Sequence, residues 1–130
     1  MGQVTTQPAI LHPGSKVCAC AQLPEGGCGV RFLVEHNGHI IPAFAVRHCG
    51  RVFAYLNRCA HKLVELDWQK GEFFDAERRY LVCATHGALY DPASGNCVGG
   101  PCRGAMLTAV PVREAEGVVW IAGAPAVVVK

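Results

Sequence analysis

Residues 59–91 read CAHKLVELDWQKGEFFDAERRYLVCATHGALYD, and the fold of the chain is read outward from this stretch. It opens on Cys59-Ala60-His61 and closes on a second thiol–imidazole segment, Cys83-Ala84-Thr85-His86. Each pair follows a segment that reads as a strand and sits where a loop begins. Twenty-one residues separate His61 from Cys83, enough for a hairpin that returns the second loop to the first. Two soft anionic sulfurs and two neutral nitrogens then converge on one place. Such a Cys2His2 set has two main uses. One is a closed tetrahedral Zn2+ site; the other is a two-iron centre with thiolates on one iron and imidazoles on the other. Zinc sites favour C-x2–4-C followed by H-x3–5-H, with each chelating pair alike in kind. Here the pairs are C-x-H and C-x2-H, so each loop gives one ligand of each kind, which suits two unlike metals.

Outward from the site, the apolar pattern proceeds in short bursts. Lys16–Leu23 is the first, ended by Pro24 and the Gly26-Gly27 pair. Val30–Glu35 and His39–Arg47 flank Asn37-Gly38, which suits a type I′ hairpin turn. Pro42 lacks an N–H and argues for an edge position or a bulge in the second of these strands. Arg51–Asn57 alternates, after a turn at Cys49-Gly50. Phe73-Phe74 and Tyr80–Ala84 read as a hairpin around Asp75–Arg79. Thr108–Arg113 and Val118–Ala122 close the pattern around a turn at Glu114–Gly117. Only Lys62–Gln69 could hold a turn or two of helix. Short strands with Gly, Pro and Asn punctuation predict an all-β sandwich or open barrel. Residues 1–15 read as a flexible tail, and 124–130 as a tail or an edge strand.

A chain of 130 residues fits one domain, and 51% apolar residues argue against wholesale disorder. The net charge of +2 comes from scattered basic residues, so no phosphate-tracking surface is expected and nucleic acid is excluded as a partner. Residues 1–15 lack the basic start and apolar stretch of a signal peptide, and no apolar run approaches a membrane span. The expected location is therefore the cytoplasm, with no membrane partner. Eight cysteines in a reducing compartment suggest metal ligands or buried thiols before disulfides. Cys18 and Cys20 read as core or edge residues sharing one face of a strand, and Cys97 and Cys102 as loop packing beside the site. The acids Glu65, Asp67, Glu72, Asp75 and Glu77 read as a solvated face.

The segments CAH at 59–61 and CATHGALYD at 83–91 resemble the two cluster-binding boxes of the Rieske iron–sulfur family. Gly95-Asn96-Cys97-Val98-Gly99-Gly100-Pro101-Cys102 resembles that family's third, proline-containing loop, which covers the cluster. The resemblance runs from about Val17 to Gly123. It implies stacked antiparallel sheets over 16–123 with a small cluster-binding subdomain of two loops at about 58–104. It implies one [2Fe–2S] cluster, with Cys59 and Cys83 on the buried iron and His61 and His86 on the outer iron. Around these ligands it places Leu63, Gly87, Ala88, Tyr90 and Pro101. Leu63 and Leu89 would be apolar shields, Gly87 would avoid crowding an approaching backbone, and Tyr90 would bring a hydroxyl near a cysteine ligand.

Departures from the family's respiratory members are informative. Neither box carries the extra cysteine that bridges the two loops there, and Ala88 offers no hydroxyl where those proteins hold a serine. Thr85 replaces an aromatic or proline often found in the second box. A hydrogen bond to cluster sulfur stabilises the reduced state, so its loss lowers the potential. Rieske centres span roughly −150 to +300 mV, against about −400 mV for plant-type ferredoxins, and the lower part of the range is expected here. The resemblance is closest to soluble Rieske ferredoxins that take electrons from a reductase and feed an oxygenase. Ring-nitrogen deprotonation of the ligand histidines would make the potential fall at alkaline pH. No nucleophile–base pair or nucleotide fingerprint is present, so the chain reads as an electron-transfer component, a monomer or weak oligomer, rather than an enzyme by itself. The alternatives are a Rieske-like small subunit of a reductase of the nitrite-reductase type, or a structural zinc Cys2His2 module.

Overall fold

The computed structural model describes residues 10–36, 38–58, 66–67, 71–83, 87–100 and 105–125. Its centre is the run Ile41-Pro42-Ala43-Phe44-Ala45-Val46, apolar at every position. A strand buried on one face alternates apolar with polar; one buried on both faces is continuously apolar. Among the described residues this is strand β4 of ten: β1 (Ile10–Leu11), β2 (Lys16–Ala19), β3 (Val30–His36), β4 (His39–His48) and β5 (Arg51–Leu56), then β6 (Leu81–Val82), β7 (Leu89–Tyr90), β8 (Cys97–Gly99), β9 (Val112–Ala115) and β10 (Val118–Ile121). They form three sheets, ordered β1-β3-β4-β5, β2-β10-β9 and β6-β7-β8.

The first sheet separates two apolar cores. On one face Ile41, Ala43 and Ala45 of β4 join Phe32, Val34, Ala54 and Leu56, packed against Cys18, Val119 and Ile121 of the β2-β10-β9 sheet. On the other face Phe44, Val46 and Tyr55 pack against Leu66, Phe73, Leu81, Cys83, Ala88, Tyr90 and Leu107. Phe44 stacks on Phe73 with ring centroids 3.9 Å apart. The Tyr55 hydroxyl donates to Pro92 O at 2.6 Å. Burial, aided by the nearby Asp91 carboxylate, pushes that hydroxyl above its ordinary range, so it stays a donor. The segment at 108–110 covers the outer edge of β5, with Leu56 N–H donating to Thr108 O and Val110 N–H to Ala54 O.

The all-β expectation holds, with corrections in detail. Ile10–Leu11, within the stretch read as a tail, pair in parallel with Leu33 and Val34. Pro42 lies on a central strand, opposite Leu33, not on an edge. Its missing N–H is tolerated because β5 has ended: the last β4–β5 pair is Ala43 with Leu56, and beyond it Asn57 N–H donates to Pro42 O. Cys18 is in the core, and Cys20, past the end of β2 in a single 3-10 turn at Cys20–Gln22, is half-buried and packs against the same core. The Cys49-Gly50 turn has both residues at positive φ, as a type I′ turn requires. The Phe73–Phe74 hairpin reduces to one bridge pair, Phe74 with Leu81. Of the helical turn expected over Lys62–Gln69 only Leu66 and Asp67 are described, and neither is helical; of the tail or edge strand at 124–130 only 124–125 are described, and neither is in a strand.

Phe44→Ala removes the ring that unites β4 with the second core. A loss of about 3–5 kcal/mol is expected, read as a lowered denaturation midpoint.

Candidate metal centre

The sheet β6-β7-β8 stands on the second core and carries the second box at its end. Leu81 pairs with Tyr90 and Val82 with Leu89. The ladder extends into the box, with Cys83 N–H donating to Ala88 O at 2.9 Å and Gly87 N–H to Cys83 O at 2.8 Å. Cys83 is therefore held at the closing end of a hairpin, fully buried and not disulfide-bonded. Gly87 has φ +73°, and none of the described residues lies within 4 Å of where its Cβ would be. The left-handed backbone by itself favours glycine at this position.

Crowding occurs one loop further on. At Gly100 (φ +84°) an added Cβ would lie 2.9 Å from both Ala88 Cα and Gly87 O. The third loop thus packs directly on the backbone of the second, as a cover must. Gly99 of β8 pairs with Leu89, whose half-buried side chain lies beneath it.

The first box is bracketed by Asn57–Arg58 and Leu66–Asp67. Leu66 is fully buried in the same apolar cluster as Cys83, Ala88 and Tyr90. The two boxes therefore issue from one patch of core. Asp67, expected on a solvated face, is buried instead: its carboxylate accepts from Asn57 Nδ2 and from Gly71 N–H, with Arg31 Nε at 3.2 Å. Sequence reading missed Asn57 because alternation placed it with Phe53 and Tyr55 without revealing a polar partner. The acidic neighbour ten residues on was its only signal.

Cys59, His61, Leu63, His86 and Pro101 lie outside the described residues. Among the described residues no group of three or more His, Cys, Asp or Glu side chains gathers for a metal, and Cys83 alone represents the expected ligand set. What is described suits a buried two-iron cluster: an inner thiol held by backbone bonds, an apolar floor, and a glycine cover too close for any side chain. Cys97 departs from expectation. It is disulfide-bonded rather than a packed thiol. The other described cysteines are not so bonded, which leaves Cys59 and Cys102 as the partners to consider.

The described part of the site is a hairpin-borne loop on an all-β base, with a glycine of the next loop packed on its backbone. The sequence matches the Rieske [2Fe-2S] domain over residues 15–116, and the chain belongs to that family. Its cofactor is a [2Fe–2S] cluster. Among solved structures, the ferredoxin of carbazole 1,9a-dioxygenase from Nocardioides aromaticivorans IC177 is 24% identical, with a TM-score of 0.67 over 85% of this chain and 98% of that one. A ferredoxin seen in a complex of reduced oxygenase and oxidized ferredoxin in carbazole 1,9a-dioxygenase is 23% identical, with a TM-score of 0.67 over 87% and 95%. The terminal oxygenase of carbazole 1,9a-dioxygenase from Novosphingobium sp. KA1 is 23% identical, with a TM-score of 0.68 over 88% of this chain and 31% of that one. These likenesses show a shared fold. No curated protein matches the sequence.

Two outcomes are expected. Gly100→Ala should lower iron content, because its methyl group meets backbone that cannot yield. Mass-spectrometric mapping without reduction should join Cys97 to Cys102; a bond to Cys59 would remove Cys59 from the ligand set.

Proposed function

We propose that the chain is a one-electron carrier of the ferredoxin kind, holding its cluster through Cys59, His61, Cys83 and His86 and passing electrons to an oxygenase. The observation that carries this is the joint descent of both boxes from one apolar cluster, in a chain of the Rieske family. The bound cluster supplies one-electron chemistry, accepting an electron from a reductase and releasing it to the acceptor. The protein supplies the asymmetry. Cys83 sits at the floor, enclosed by Leu66, Leu81 and Tyr90. His61 and His86 are assigned to the outer side, where an imidazole edge meets a partner.

Neutral imidazoles in place of two thiolates make adding an electron less costly than in an all-cysteine site. Ala88, buried against the second loop, has no hydroxyl to stabilise the reduced state, which favours the lower part of the Rieske range. Tyr90 is buried in the same cluster, which favours a contact of its hydroxyl with the inner ligand sphere. Val98 on β8 and Met106, paired to Asn96 beside it, leave large apolar side chains exposed next to the third loop. That surface suits the small, transient contact of a redox encounter. The oxygenase partner is favoured by the shared fold with oxygenase ferredoxins. A reductase donor and a cytoplasmic location belong to the same proposal. Among the described residues no helix is long and apolar enough to cross a membrane.

An anaerobic redox titration followed by EPR tests the proposal. Two irons per chain, visible absorbance and a single one-electron wave are expected. A colourless protein with one zinc would refute it in favour of the zinc module. His86→Cys should lower the potential or abolish the cluster; unchanged spectra and potential would remove His86 from the ligand set.

A further inference from the structure

The two ligand loops are closed at their necks by different means. The second is spanned by backbone bonds, from Cys83 N–H to Ala88 O and from Gly87 N–H to Cys83 O. The first is longer. Among the described residues, no backbone–backbone hydrogen bond joins its entry at Asn57–Arg58 to its exit at Leu66–Asp67. A side chain does this instead. Asn57, fully buried, accepts from Leu66 N–H through Oδ1 at 2.8 Å and donates through Nδ2 to Asp67 Oδ1 at 2.9 Å. Asp67 Oδ2 accepts from Gly71 N–H at 2.9 Å and faces Arg31 Nε of β3 at 3.2 Å. Below the junction, Asn57 N–H is tied to Pro42 O of β4 at 2.7 Å.

One planar amide therefore reaches both flanks of the loop exit, and a carboxylate ties that exit to β3 and to the following turn. An amide offers acceptor and donor in a fixed relative direction, which this junction needs. Cohesion alone would not call for a buried charge, because apolar residues of similar volume often serve equally well. The polar pair contributes direction instead: it fixes the angle at which the chain leaves the core, two residues before Cys59.

We propose that Asn57 and Asp67 are positioning residues of the metal centre, their amide–carboxylate pair setting the first ligand loop against the second. This rests on Cys59 and His61 being ligands. The test compares holoprotein carrying Asn57→Asp, Asp67→Asn and both changes together. Asn57→Asp opposes two carboxylates, and Asp67→Asn leaves one buried donor without an acceptor. The double variant exchanges amide and carboxylate: position 57 then accepts from Leu66 N–H and from the new amide at 67, whose oxygen keeps the Gly71 bond.

Each single variant should broaden and shift the g values of the reduced centre, move its midpoint potential and release iron to a chelator about tenfold faster. The double variant should restore all three, a coupling that independent sites do not show. Val119→Ala, in the other apolar core, should lower thermal stability and leave signal and potential alone. Single variants with wild-type g values, line widths and potential, changed only in thermal stability, would overturn the proposal. Should Asn57→Asp fail to accumulate, Asp67→Asn and the double variant decide the matter. Wild-type protein without a [2Fe–2S] signal would instead overturn the ligand assignment, so the two failures are distinct.

Discussion

Leu66, Cys83 and Ala88 pack into one apolar cluster over Phe44, and the site depends on that contact. A mixed thiolate–imidazole centre needs ligands from two stretches of chain to meet with the sulfurs inward. Neither box can arrange this by itself. One face of β4, through Phe44 and Val46, offers a common floor to Leu66, which follows the first box, and to Leu81 and Cys83, which lead into the second. The opposite face of the same strand, through Ala43 and Ala45, is held by the other core. A strand gripped on both sides does not slip in register, because a shift of one residue would exchange the two faces. The rigidity of the base thereby reaches the site.

The β6–β7 hairpin holds the second loop, Asn57 ties the two flanks of the first box, and the third loop packs on the second at Gly100, where no side chain has room. Cys97, which opens β8 and packs against the second core, is disulfide-bonded.

Much of this was legible in the sequence for a physical reason. Hairpins joined by two-residue turns are local, so Asn37-Gly38 and Cys49-Gly50 announced β3, β4 and β5 with nearly their observed bounds. The family was legible because metal chemistry restricts residue type and spacing together. Non-local pairings were not legible. The parallel contact of Ile10–Leu11 with β3 joins residues more than twenty positions apart and leaves no periodic trace. Pro42 misled because its tolerance depends on where β5 ends, not on β4 itself. Asp67 misled because a carboxylate among other acids reads as wet until its donors, Asn57 and Gly71, and the Arg31 charge are seen around it.

The central claim is that one iron is held by imidazoles and the other by thiolates. Pulsed EPR of the reduced protein, grown with 15N-histidine, addresses it most directly. Two distinct 15N-histidine couplings to the cluster spin are expected. A reduced [2Fe–2S] signal with no histidine nitrogen coupling would contradict the account.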